Sequence, residues 1–261
     1  MNAASAILLD GTEVLLWLER IWWVALRVGA MLLLAPMIGS NMLPKRVRLV
    51  LTLALSATLA PLLAPQIPPL ALDAATFLAA ARELALGAAI GFVFRLGFEA
   101  AAFAGELISQ GMGLSFAQML DPLRGAQSPV MSQWFTLIAG LVFFAIDGHL
   151  ALVRVVFESY RVAAPADVAL AHAAAAVPAF GAAMLGAGLS FALPIVIAML
   201  VVNLAFGVLA RTAPALNPIA IGLPAALLTG FALLIALLPH LTRPFADWLV
   251  TTAATAAAAV R

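Results

Sequence analysis

The sequence predicts an all-α polytopic membrane protein of long helical hairpins, and three observations carry that prediction. Apolar residues make up 65% of the chain and charged residues 10%, with a mean hydropathy of +1.13. A soluble domain is typically about half apolar and about a quarter charged. Apolar runs long enough to cross a bilayer, roughly 20 residues each, recur at about 14–38, 47–64, 76–104, 134–157, 181–209 and 218–240. Prolines gather where these runs end, at Pro36 and Pro44, Pro61 to Pro69, Pro122 and Pro129, and Pro214 and Pro218. A proline lacks the amide hydrogen and its ring clashes with the preceding turn, so it stops or kinks a helix.

The segments follow one another without an inserted soluble domain, so residues 1–261 read as a single membrane domain. Asp10 and Glu13 precede the first run, where a signal peptide would carry Lys or Arg; the first helix is expected to be retained. Lys45, Arg46 and Arg48 follow it, and the positive-inside bias places that loop, and this basic cluster, on the cytoplasmic side. The cluster is either part of a cytoplasmic mouth or a topology anchor alone. Strict alternation from there leaves Arg124 and Arg211 inside but Arg161, Arg243 and Arg261 outside, so the bias is clear at the first loop only. The "DGHL" motif at 147–150 reads as a helix-interface break. Residues 163–180, rich in Ala, read as a short surface helix or linker; Pro194 in "SFALPIV" marks a kink; and 243–261 reads as a weakly amphipathic helix with Trp248 at the interface.

Ionisable residues inside apolar segments set a constraint. The first run holds Glu19, Arg20 and Arg27, and the third holds Arg82, Glu83, Arg95, Glu99 and Glu106. Each costs roughly 2.5–3.5 kcal/mol on insertion scales, so such groups face protein or water. Arg95 and Glu99 share a helix face, as do Glu99 and Glu106. That pattern fits end-of-helix snorkelling and local pairing, or a charged face that docks neighbouring subunits. Small residues recur every fourth position: Gly87 and Gly91; Gly97, Ala101 and Gly105; Ala182 and Gly186; Gly222, Ala226 and Gly230. In lipid, helices pair by close backbone approach, which such ladders permit.

The composition speaks against chemistry. There are no cysteines, and the three histidines stand far apart. No HExxH, GxSxG, Walker loop or GxGxxG is present. No enzyme, cofactor or metal site is expected, and a net charge of +1 with no dense basic patch gives no reason to expect nucleic acid. A small-solute transporter would often show two similar halves with matching broken helices; Pro194 has no counterpart in the first half, which leaves that class as the weaker alternative.

Four stretches carry a resemblance: "RVGAMLLLAPMIGSNMLPKRVRLVLTLALSATLAP", "ELALGAAIGFVFRLGFEAAAFAGELISQGMGLSFAQMLDP", "FFAIDGHLALVRVVFES" and "ARTAPALNPIAIGLP". Their order and spacing, from about residue 27 to 240, resemble the FliR family of flagellar type III export-gate subunits and its counterpart in virulence injectisomes. The motifs are Pro44 to Arg48, the "GxxxSFAxxxDP" run and Arg211 to Asn217. The chain departs from the family pattern at Ala215, at Pro218, at Ala225 and Ala226, and at Leu150. The resemblance implies an inner-membrane subunit of the flagellar basal body. It assembles with FliP and FliQ homologues, beside FlhA and FlhB homologues, into a gate that passes unfolded flagellar proteins. It also implies a FliP-like part over about 1–160 and a FliQ-like part over about 161–261.

The stretch "GELISQGMGLSFAQMLDP", Gly105 to Pro122, is the most unusual loop candidate, because it is apolar and rich in Gly and Met. On the family's pattern the matching region is a pore plug, which here would comprise Gly111, Met112, Gly113, Leu114, Phe116 and Met119. The residue chemistry suits a seal: apolar side chains exclude ions by dewetting, Met adapts to irregular partners, and glycine opens conformations closed to other residues. The alternative is a helix–turn–helix corner that packs Leu114 and Phe116 into a core. Gly87, Gly91, Arg95, Glu99, Glu106, Gly222 and Gly230 are the expected subunit-packing positions.

Overall fold

A computed structural model of the chain describes residues 11–39, 43–66, 73–114, 130–162, 170–212 and 218–260. Among these residues there are seven α-helices and no strand: α1 (Gly11–Leu34), α2 (Lys45–Leu59), α3 (Ala74–Gly111), α4 (Val130–Ala145), α5 (Gly148–Val162), α6 (Leu170–Thr212) and α7 (Pro218–Ala258). A 3₁₀ turn, Ala60–Gln66, continues α2 through Pro61 and Pro65.

Four helices are long and apolar enough to span a bilayer: α2 with its 3₁₀ turn, α3, α6 and α7. The all-α polytopic class is therefore observed, with four changes to its segments. The first expected run, 14–38, forms α1, which is not among the helices apolar enough to span. The expected run 134–157 is two helices, α4 and α5, bent by 69°. Asp147 takes φ +56° at the bend, so "DGHL" is the helix break the sequence suggested. Of the run 163–180, expected as a short surface helix or linker, residues 170–180 are the first part of the 43-residue α6, and 163–169 lie outside the described residues. The tail from Arg243 is not separate either, since α7 runs on through Pro239 and Pro244 to Ala258.

The described chain forms two compact units. The first comprises residues up to Arg95, Leu150–Pro178 and Ala253–Arg261. Its centre is ionic. Arg27 of α1 makes a bidentate pair with Glu83 of α3: Nε donates to Oε2 and Nη2 to Oε1, both at 2.8 Å. Arg27 Nη1 donates to Ser159 Oγ at 2.8 Å, and the guanidinium carbon lies 3.8 Å from the centre of the Tyr160 ring. The Tyr160 hydroxyl donates to Glu83 Oε2 at 2.9 Å. Arg27 and Glu83 are both fully buried. One turn along α3 from Glu83, Gly87 sits against the backbone of α1, and a Cβ there would overlap the carbonyl oxygen of Arg27. Gly91 meets Met31 in the same way. At the start of α3, Asp73 Oδ1 accepts the Thr76 amide at 2.8 Å. That amide, joined by the Thr76 hydroxyl, holds the Asp73 carboxyl below its ordinary value. A lowered carboxyl value means that this cap acts at neutral pH and weakens as the pH falls through the folded-state value.

The second unit comprises Leu96–His149 and Ala179–Thr252, and several neutral contacts pack it. Gly97 receives Thr252, whose Oγ1 would lie 2.7 Å from an added Cβ, and Trp248 Nε1 donates to the Gly97 carbonyl at 2.9 Å. Trp248 also stacks on Phe180, with centroids 5.0 Å apart and planes 3° apart. This tryptophan is half-buried within the unit. Gly105 lies on Met131 and Ser132 of α4, and Ser132 Oγ donates to the Ala102 carbonyl at 2.9 Å. Phe245 joins Phe135 and Phe191 edge-on.

Arg27→Met or Glu83→Gln strands a buried charge and should lower stability by roughly 3–5 kcal/mol, whereas replacing both with apolar residues recovers most of it. Thermal unfolding of the purified protein in detergent, run as a double-mutant cycle, checks this; equal losses in the single and double variants would count against it. Gly87→Leu overpacks a backbone contact and should cost at least about 1–3 kcal/mol in the same assay. Gly186→Leu should cost little, since nothing lies within 4 Å of a Cβ there.

Candidate functional site

The C-terminal end of α3 is where residues expected in a plug meet a residue expected in a packing ladder. The helix stops in a Schellman turn: the Leu114 amide donates to the Ser109 carbonyl and the Gly113 amide to the Gln110 carbonyl, both at 3.0 Å. Gly113 occupies the position that needs a left-handed backbone, with φ +76°. Met112, just before it, is fully buried. Its side chain lies across Gly230 of α7: a Cβ at Gly230 would stand 2.6 Å from Met112 Cγ, 2.7 Å from Cε and 2.9 Å from Sδ. Asn203 Nδ2, on α6, donates to the Gly111 carbonyl at 3.2 Å, and Met199 Cβ lies 3.6 Å from where a Gly111 Cβ would be. Gly111, Gly113 and Leu114 are half-buried. Phe116 and Met119 lie outside the described residues.

The other expected positions divide. Gly87 and Gly91 pack within the chain, against α1. Gly222 makes only ordinary contact, with Phe206 Cγ 4.0 Å from an added Cβ. Arg95 and Glu99 are exposed, while Glu106 is half-buried and accepts Gln110 Nε2 at 3.2 Å. Lys45 and Arg46 are exposed at the start of α2, but Arg48 turns back, its Nε donating to the Ile38 carbonyl at 3.2 Å. That bond supports the turn in which Met37 takes φ +63°.

Sequence reasoning missed two features of this geometry. It placed Arg27 and Glu83 in apolar runs without pairing them, although two opposite charges buried in lipid-length helices need each other. It also missed Asn203, the amide-bearing residue in the middle of the apolar "LVVNLAF" stretch of α6. Among the described residues no three His, Asp or Glu side chains converge as metal ligands would.

Comparison with known proteins bears on the arrangement as a whole. The family described as Bacterial export proteins, family 1, matches residues 18–251. Flagellar biosynthetic protein FliR of Escherichia coli (strain K12) is 35% identical over 234 residues, 89% of each chain. The protein of the same name from Pectobacterium carotovorum is 33% identical over 89% of each chain. That from Caulobacter vibrioides is 31% identical over 80% of this chain and 84% of its own. Similarity of this extent reaches into every described helix, and the chain belongs to the FliR family of bacterial export proteins.

Proposed function

We propose that the chain is an integral subunit of the flagellar type III protein export gate in the bacterial inner membrane, forming part of the channel for unfolded flagellar proteins. The observation that carries this is the end-to-end similarity to proteins named Flagellar biosynthetic protein FliR, which favours the flagellar over the virulence system. The structure supports an assembled rather than a solitary role. Only 17% of the most apolar stretch of α6, and the same share of α7, is buried within the chain. Leu189, Leu193, Ile197, Val201, Leu204 and Val208 line an exposed apolar face along α6. An apolar face of this length marks an interaction surface or lipid contact. FliP and FliQ homologues are the proposed partners across such faces, with FlhA and FlhB homologues adjoining. Arg95, Glu99, Lys45 and Arg46 are exposed, and with Gly222 they are the proposed outward positions in that assembly; Gly87 and Gly91 are committed within the chain. The division into a FliP-like part over about 1–160 and a FliQ-like part over about 161–261 belongs to the same proposal.

Within the gate, the stretch from Gly111 to Met119 is the proposed plug. Its support is the Schellman stop, which ends α3 at a glycine joint just ahead of the apolar sequence "LSFAQML". An apolar constriction blocks ions by dewetting, and Met side chains seal against irregular surfaces.

Deleting Gly111 to Gln118 in a motile strain tests the reading. The expected result is a gate that still co-purifies with its FliP and FliQ homologues while the membrane leaks small ions. Lost assembly with an unchanged leak would show that the stretch is a packing corner instead.

A further inference from the structure

We propose that Met112 and Gly230 form a releasable latch that holds the α3 end in the closed state, and that export requires this latch to open. The proposal rests on the plug reading above and names the contact that keeps the plug shut. Gly230 provides a hollow in α7 that no other residue type leaves open, since a Cβ there falls on three atoms of the Met112 side chain. Met112 fills it and is fully buried. The seat therefore recognises one side chain from a different helix, 118 positions earlier in the sequence (230 − 112).

The form of the contact suits release. No ion pair holds the α3 end among the described residues; a single amide, Asn203 Nδ2 to the Gly111 carbonyl, accompanies the apolar seat. An unbranched methionine has several rotatable bonds with which to leave a groove once its neighbours give way. The residues beside it are the ones that allow the backbone to follow. Gly113 already has a left-handed backbone, and Gly111 meets only ordinary contact from Met199. A seat that is filled by shape, fixed by one hydrogen bond and flanked by two glycines closes firmly and opens without breaking a charge pair. That combination is what separates this helix end from the Arg27–Glu83 junction, where opening would strand ions.

The chain contains no cysteine, so an engineered pair reads cleanly in the assembled gate in cells. Met112→Cys with Gly230→Cys should cross-link on oxidation. The Gly230 Cβ position lies 2.6 Å from Met112 Cγ, the site that the introduced sulfur at position 112 would occupy. Export of flagellar protein should stop in the oxidised gate and resume on reduction. Export that continues through a fully cross-linked gate, or a pair that does not cross-link, overturns the latch. Gly230→Ala gives an independent measure: it should evict Met112 and raise the ion leak, as should Met112→Ala on its own. An assembled Gly230→Ala gate that stays tight also overturns the latch. If Gly230→Ala stays tight while deletion of Gly111 to Gln118 leaks, the plug reading survives and the latch does not. If neither leaks, the plug reading itself is wrong.

Discussion

Two opposite charges buried among apolar helices set the constraint around which the first unit is arranged. Arg27 and Glu83 come from helices 56 positions apart in sequence, and neither tolerates lipid or an empty cavity. Their bidentate geometry fixes the rotation of α1 against α3, because both guanidinium edges are committed. Ser159 and Tyr160 then bring in α5, one by accepting the remaining guanidinium nitrogen and the other by covering the guanidinium face. Such a cluster adds little net stability over a well-packed apolar core, but it punishes every arrangement that separates its members. In a chain with this much interchangeable Ala, Leu and Val, that penalty gives register to helices that could otherwise slide.

In the second unit the contacts described above are neutral ones. Glycines admit specific side chains, Thr252 at Gly97 and Met112 at Gly230, and aromatic rings stack or meet edge-on around Phe245 and Trp248. Shape complementarity of this kind is strong while it lasts and is lost in small steps, whereas a buried ion pair fails all at once. On the proposed role, in which an assembled gate admits a moving polypeptide, both kinds of junction have a use. The ionic one suits permanent structure, and the apolar one suits parts that move.

Much of the fold was legible in the sequence. Apolar length gave the spans at α2, α3, α6 and α7 but not at α1, which carries Glu13, Glu19, Arg20 and Arg27, and Pro36, Pro44 and Pro214 mark ends that the helices respect. The "DGHL" break was readable because Asp and Gly tolerate a left-handed turn that interrupts a span. The long reach of α6 and α7 was not, because Ala-rich sequence has high helix propensity but little periodicity to mark its limits. The glycine spacing matches close packing within the chain at Gly87, Gly91, Gly97, Gly105 and Gly230 but not at Gly186 or Gly222, and it does not tell what each glycine meets. Gly87 meets a backbone, Gly230 a methionine and Gly186 nothing within the chain. Spacing shows which face of a helix is bare; the identity of the neighbour depends on tertiary structure that no local pattern encodes.

The contact between Gly87 and the Arg27 carbonyl has a consequence for how this protein can vary. The same residue presents its side chain to Glu83 and its backbone to Gly87, one helical turn apart. A methyl group at position 87 would therefore act as a charge mutation at a distance, pushing the α1 backbone outward and drawing the guanidinium off its carboxylate. The glycine and the ion pair are thus coupled through one residue, Arg27. A lineage that loses one should be found to have rewritten the other, and a survey of either position alone would misjudge how freely it drifts.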